Sequence, residues 1–343
     1  MKSINEIKKI ANNYIVRRIV AYIFLMFLTA TITFFIFRLM PGNPVEAYLR
    51  SMEQRFPQYF ETRAGMELSQ KYKEMFGLQG SIFHQYFCFL RNIVKGTFGP
   101  SLLTFPEPAE KLILQALPWT IGLLGISTII AWLLGVLVGV FIGWKRESKV
   151  STFTAWLALV VSQMPQYFLA IILVFVFAYT LYLLPGTGAF NPLLKPGFYP
   201  EFIFDVIKHA TLPALSIILV TAAGWIISSR SLVITILNED YLIFAEAKGL
   251  KPGTILRNYV MKNVLPPQIT GLAISLGFIV NGAYVVEWIF NYPGIGRLMA
   301  IAVGLRDYSV MQGVMLLSIF GVLTANLIVD LILPLIDPRV RRG

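Results

Sequence analysis

The stretch IVAYIFLMFLTATITFFIF, Ile19 to Phe37, runs for 19 residues without a charge. As a helix rising 1.5 Å per residue it is about 28 Å long, enough to cross the hydrocarbon of a bilayer. It exceeds the h-region of a cleavable leader, and Arg38 ends it without a small-residue cleavage pattern, so it reads as an uncleaved transmembrane helix. Five further apolar stretches follow: Trp119 to Trp144, a Pro-interrupted one from Phe153 to Leu184, Leu212 to Ser228, Gln268 to Phe290 and Val310 to Leu335. Six spans predict an all-α polytopic membrane protein, with Pro165 kinking or breaking the third.

Composition agrees with that pattern. Of 343 residues, 56% are hydrophobic and 14% charged, against about 25% charged in soluble domains. The single Cys88 excludes a disulfide framework within the chain, and two histidines, His84 and His209, do not make a His-rich metal site. The formal charge of +11 is accounted for by membrane orientation rather than by nucleic acid. Segments 1–18, 145–150, 229–267 and 337–343 hold 16 Lys and Arg in 70 positions, while 40–118, 185–208 and 291–308 hold 12 in 121. The denser set is expected in the cytoplasm, with both termini.

The resulting organisation is a cytoplasmic N-terminal segment, 1–18; transmembrane helix 1, 19–39; an extracytoplasmic cap, 40–118; a transmembrane core, 119–336, with the cytoplasmic loop 229–267; and a cytoplasmic tail, 337–343. The cap is too long for a connection, and its aromatics predict a small helical fold. Gly135, Gly139 and Gly143 recur every four residues, which places small residues on one helix face for close packing. Arg38, at the outer end of the first helix, reads as a snorkelling anchor.

Catalytic signatures are absent from the sequence: there is no phosphate-binding G-x-x-x-x-G-K-[ST] loop, no H-E-x-x-H and no G-x-S-x-G. Neither a catalytic set nor a metal-ligand set is predicted, and the chain reads as a non-enzyme. Glu287 and Asp330 are acids within apolar spans, each about 10 Å or less from an interface by helical rise. Holding helix ends or loops is the first reading for both, and a pathway role the second.

The longest inside segment, 229–267, is SRSLVITILNEDYLIFAEAKGLKPGTILRNYVMKNVLPP. Ile236, Tyr241, Ala245 and Leu250 recur at roughly helical spacing, Gly249 fits a helix C-cap, and Pro252 fits the start of the next helix. The expectation is a short helix, a tight turn from Gly249 to Gly253, and a second helix ending before Pro266 and Pro267. Such a hairpin suits docking of another protein; its singly spread basic residues disfavour DNA.

DYLIFAEAKGL (Asp240 to Leu250), followed by RNYVMKN (Arg257 to Asn263), resembles the Glu-Ala-Ala loop of binding-protein-dependent ABC importer permeases, and most closely the first permease subunit of the dipeptide, oligopeptide and nickel type. FRLMPGNPV (Phe37 to Val45), GTFGPSL (Gly96 to Leu102), LPALS (Leu212 to Ser216), EWIFNYPGIGRL (Glu287 to Leu298), LRDYSVMQG (Leu305 to Gly313) and NLIVDLILPLIDPRVR (Asn326 to Arg341) extend the resemblance along the chain. The family's Glu-Ala-Ala positions fall on Ile243, Phe244 and Ala245, so only the last alanine is kept. Lys262 stands where proline is frequent.

The resemblance implies a type I importer permease of six helices, paired with a second homologous permease around one pathway. Two cytoplasmic ATPases would bind the coupling helix, with ATP and Mg on those subunits and no cofactor on this chain. An extracytoplasmic substrate-binding protein would deliver cargo. Asp240, Tyr241, Ala245, Ala247, Lys248, Gly249 and Leu250 are the implied ATPase-coupling residues. Glu287, Tyr292, Pro293, Gly294 and Arg297 are the implied gate or binding-protein contact, and Asp330 a structural or pathway acid. Peptide is the first expected cargo, with oligosaccharide or nickel as alternatives. An ion-coupled secondary transporter is the competing class, for which inverted repeats and midplane charges are expected and not seen.

Overall fold

The computed structural model describes residues 4–40 and 44–336. The expected tail 337–343, the first three residues and residues 41–43 of the FRLMPGNPV motif lie outside the described residues. The helices in chain order are α1 Ile4–Leu39, α2 Pro44–Arg55, α3 Pro57–Phe60, α4 Arg63–Met75, α5 Ile82–Val94 and α6 Ala109–Trp144. They continue as α7 Lys149–Ser162, α8 Gln166–Leu173, α9 Pro200–Leu237, α10 Asp240–Ala247, α11 Pro252–Ile255, α12 Met261–Gly277, α13 Tyr284–Ile289, α14 Ile295–Leu305 and α15 Tyr308–Ile336. Apart from one bridge between Pro100 and Pro108, the described residues form helices and loops. Segments Ile15–Leu39, Ala109–Trp144, Pro200–Leu237 and Tyr308–Ile328 are long and apolar enough to cross a membrane. The chain is an all-α, multi-pass membrane protein.

Proline treatment separates expectation from structure. Pro165 does end a helix: it caps α8, and α7 meets α8 and its π-helical continuation, Val174–Thr180, at 98°. Pro118 and Pro213 end nothing. The second span starts at Ala109 rather than Trp119, and the fourth, expected as Leu212 to Ser228, is the middle of the 38-residue α9. The second hairpin helix was expected to stop before Pro266, yet α12 runs through both prolines to Gly277. Val260, Val264 and Gln268, four residues apart, are all buried, and this packing carries the helix past two missing N–H groups. The expected fifth span divides instead, because a 3-10 turn, Phe278–Asn281, ends at Gly282 with φ +72° before α13 begins.

The chain forms two compact units, residues 1–119 with 294–343, and residues 120–293. In the first, α1 packs along α15, with the Tyr22 hydroxyl 2.8 Å from the Thr324 hydroxyl. Its core gathers Phe37, Ala109, Ile113, Ile295, Val310 and Val314. The segment expected as a helical cap is helical, α2 to α5, with its own cluster around Leu49 and Tyr72. Thr62 and Ser81 cap α4 and α5 by accepting the N–H of Gly65 and His84.

In the second unit α9 is central, packed by α7, α8 and α12. The glycine stripe of α6 is its contact with α9. A Cβ at Gly135 would lie 2.3 Å from Trp225 Cβ, at Gly139 2.5 Å from the Ile226 carbonyl oxygen, and at Gly143 2.8 Å from Val233 Cβ. Backbone that close leaves no room to relax, so Gly139→Ala is expected to destabilise by about 1–3 kcal/mol. At Gly122, on the same helix, nothing lies within 4 Å. Gly122→Ala is therefore expected to be neutral or stabilising by up to about 1 kcal/mol. Thermal unfolding of the two purified variants checks both signs.

Candidate functional site

The hairpin after α9 is built from local chain chemistry. Asp240 lies in the first turn of α10, where an acid complements the helix dipole. At the other end Gly249 takes φ +73°. Its N–H donates to the Glu246 carbonyl at 2.8 Å, and the Leu250 N–H donates to the Ala245 carbonyl at 3.3 Å. This pair of bonds is the Schellman closure, which needs a left-handed residue in Gly249's place. Lys251 is then extended and Pro252 opens α11. The expected turn from Gly249 to Gly253 is present.

One face of α10 anchors it and the other is open. Leu242 and Ala245 are buried in a cluster with Val136 and Val140 of α6, Val233 of α9, and Ile255, Val260 and Val264. Here the structure corrects the helical spacing read from sequence: Leu242, not Tyr241, faces the core, because its all-apolar side chain loses nothing there while a phenol keeps its hydroxyl wet. Ile243 and Phe244 are 61% and 68% exposed. Asp240, Ala247, Lys248 and Gly249 are exposed too, and Leu250 is half-buried against the cluster. The arrangement is a short, firmly seated helix presenting two large apolar side chains among charges.

The second expected site, around NYPGIGR, uses the same cap with a different residue. Asn291 has φ +48°, its N–H donates to the Trp288 carbonyl at 3.1 Å, and the Tyr292 N–H donates to the Glu287 carbonyl at 2.8 Å. Asparagine is the common alternative to glycine there. The Phe290 carbonyl accepts from the Gly188 N–H at 2.8 Å, which ties this turn to the 185–199 loop. Glu287 is fully buried and accepts a 2.8 Å hydrogen bond from the Thr120 hydroxyl. Tyr292 is buried as well, and burial, then the neighbouring Glu287, pushes its phenol up to about 12. Pro293 is half-buried. In the other unit Gly294 is buried as the N-cap of α14, and Arg297, three residues on, is half-buried.

Asp330 pairs with Arg18, Nη1 to Oδ2 at 3.0 Å, joining α15 to α1 with both side chains partly exposed. A third acid, Asp307, escaped the sequence reading. It is fully buried, with Oδ2 accepting from the Ser101 hydroxyl at 2.5 Å and the Leu103 N–H at 3.1 Å, and Oδ1 accepting from the Val310 N–H at 3.2 Å. It caps α15 while gripping the 97–108 loop, so two motifs of the resemblance, GTFGPSL and LRDYSVMQG, are one piece of structure. Its placement just before a long apolar run is an N-cap signal. Its pairing with Ser101, 206 positions away, has no local signal.

Similarity to known proteins follows the same course along the chain. Residues 135–342 match the family described as binding-protein-dependent transport system inner membrane component. The chain is 31% identical over 331 residues to the oligopeptide transport system permease protein AppB of Bacillus subtilis, covering 95% of this chain and 98% of AppB. It is 32% identical over 345 residues to the dipeptide transport system permease protein DppB of Alkalihalophilus pseudofirmus, covering 96% and 99%. To the glutathione transport system permease protein GsiC of Escherichia coli K12 it is 26% identical, covering 96% and 99%. A family match over more than half the chain, joined to end-to-end similarity with these permeases, places the protein among the binding-protein-dependent transport system inner membrane components, as a non-catalytic transport permease.

Proposed function

We propose that this chain is one of two permease subunits of an ATP-driven importer of di- or oligopeptides. The observation that carries the reading is its end-to-end similarity to permeases named for oligopeptide, dipeptide and glutathione transport. Six crossings are proposed, the third bent at Pro165 and the fifth made of α12 and the broken segment through α13. Both termini and the 229–267 hairpin lie in the cytoplasm of a prokaryotic cell, and segment 40–118 is the extracytoplasmic cap.

The partners are a second homologous permease, two ABC ATPases carrying ATP and Mg, and an extracytoplasmic substrate-binding protein. The ATPases seat the exposed Ile243 and Phe244 of α10, with Asp240, Tyr241, Ala247 and Lys248 around them. The packed face, Leu242 and Ala245, passes their closure to α6 and α9. ATP binding then favours one permease conformation by differential affinity, which is what a population shift requires. Glu287 and Tyr292, buried and hydrogen-bonded through the backbone turn, fix the shape of the outer gate loop, with Pro293, Gly294 and Arg297 continuing it. Asp330, paired with Arg18, holds the inner end of the last crossing.

Uptake of a labelled tetrapeptide and a labelled oligosaccharide, in matched cells with and without this chain, tests the cargo. Selective loss of peptide uptake is expected. Selective loss of sugar uptake would overturn the peptide reading and leave the coupling geometry standing.

A further inference from the structure

The outer end of α1 carries a cavity that the transport reading does not use. It has a volume of about 140 Å³ and lies between α1, α5, the turn after α4, the 97–102 loop and the start of α15, all within one compact unit. Its cation is Arg38. The guanidinium lies over the Phe34 ring, 5.5 Å from its centroid, and Nη2 donates to the Gly77 carbonyl at 2.5 Å. Its Nε is buried and meets no acceptor among the described residues. The described cavity wall contains no carboxylate; besides Arg38 it offers the neutral polar side chains of Gln85, Asn92, Thr97, Ser309 and Gln312, interleaved with aromatic and aliphatic carbon. Arg38 is half-buried, and a partly desolvated guanidinium with no carboxylate in the wall around it favours a carboxylate or a phosphate as its partner.

The depth of the site selects between those anions. Tyr86 of α5 places its hydroxyl 2.7 Å from that of Thr31, and Phe89 packs against Phe34 with ring centroids 5.2 Å apart and planes tilted by 43°. Thr31 lies seven residues before Arg38, about 10 Å further down the apolar run of α1. The helix α5 therefore packs beside the outer part of the apolar run of α1, although it belongs to the 40–118 segment by sequence. Phe83 and Phe87, four residues apart on α5, are 74% and 67% exposed. Their face continues the exposed apolar surface of α1 at Ile32, Phe35 and Ile36, as expected of an amphipathic helix lying in the interface. A cavity at headgroup level beside such a helix, lined by neutral polar groups and carbon alike and holding one guanidinium with no carboxylate in its wall, matches an amphiphile carrying a phosphate.

We propose that this cavity seats the phosphate of a phospholipid, with Arg38 as its cation and the Phe83–Phe87 face of α5 bedded among the acyl chains. The site then fastens the cap to the bilayer. Neither the cargo nor the ATPase coupling enters this inference; only the choice of leaflet, the outer one, rests on the proposed topology.

The test uses the whole importer complex, purified in mild detergent and washed, with retained phospholipid measured by mass spectrometry. Wild type is expected to hold about one phospholipid per copy of this chain. Arg38→Gln, and separately Cys88→Phe, which fills the cavity and keeps the arginine, are each expected to lower retention about tenfold. Added dihexanoyl phosphatidylglycerol is expected to restore the melting temperature of delipidated wild type, whereas inorganic phosphate and tetrapeptide are not. Absence of retained lipid in wild type overturns the proposal even if neither variant folds. Equal retention in wild type and both variants overturns it too, as does rescue by inorganic phosphate or peptide in place of lipid.

Discussion

Gly249→Val is expected to reduce ATP-dependent uptake about tenfold or more, while ATP hydrolysis by the assembled complex continues. The reason is confined to the backbone. No atom lies within 4 Å of where a Cβ would project, so the substitution meets no steric neighbour. What it meets is φ +73°, where an L-residue costs about 1–2 kcal/mol and a β-branched one more. To escape, the chain must give up the bonds from Gly249 to Glu246 and from Leu250 to Ala245 that close α10. The helix would then no longer transmit force as a unit between Ile243 and Phe244 on its open face and Leu242 on its packed face. Gly249→Asn is the control, because asparagine adopts this conformation readily, as Asn291 does in the same kind of cap. Uptake by the asparagine variant is expected within about threefold of wild type. Comparable loss in both variants would show that the turn's conformation is not what matters.

Asp307→Ala is expected to be the most destabilising single change in the unit formed by residues 1–119 and 294–343, by about 2–4 kcal/mol. Removing the carboxylate takes away the N-cap of α15, worth about 1 kcal/mol, and leaves the Ser101 hydroxyl without its acceptor, costing about 1–3 kcal/mol, while the Leu103 N–H keeps the Ser101 hydroxyl oxygen at 3.0 Å. Asp307→Asn keeps one acceptor oxygen for the Val310 N–H and turns a donor toward Ser101 and Leu103, so an intermediate loss is expected. Thermal unfolding of the purified complex reads the stability, and proteolysis within 97–108 reads release of the loop. An unchanged melting temperature for Asp307→Ala would mean the buried network contributes nothing net.

The parts of the structure written locally were legible. An uncharged run of 19 residues has few fates, three glycines at four-residue spacing mark a face for close approach, and glycine before a lysine–proline pair marks a helix stop and restart. The break at Pro165 was legible because proline removes a backbone N–H and disfavours helical geometry in the residue before it. Pro266 and Pro267 mark no boundary, since what decides their fate is burial against distant segments: Val260, Val264 and Gln268 are buried on the packed face of the hairpin and α12. Tyr241 and Leu242 were exchanged for a similar reason, as both fit the helical period and only the hydroxyl separates them.

The candidate site was legible as segments more than as contacts. The hairpin and the NYPGIGR turn were found from their glycines, prolines and resemblance, but the burial of Glu287 beneath Thr120 depends on residues 167 positions apart. Asp307 was missed on the same ground. Arg38 was legible as a cation at a span's end, but its hydrogen bond to the Gly77 carbonyl, 39 positions away, had no local signal.

The central claim, that this permease moves peptide by coupling to ATPases through α10, is tested most directly in sealed proteoliposomes containing the complete importer and its binding protein. The account predicts that labelled tetrapeptide accumulates only when the ATPases can hydrolyse ATP, and that Gly249→Val separates hydrolysis from accumulation. Peptide uptake that persists without ATPases, driven by an ion gradient alone, would contradict it.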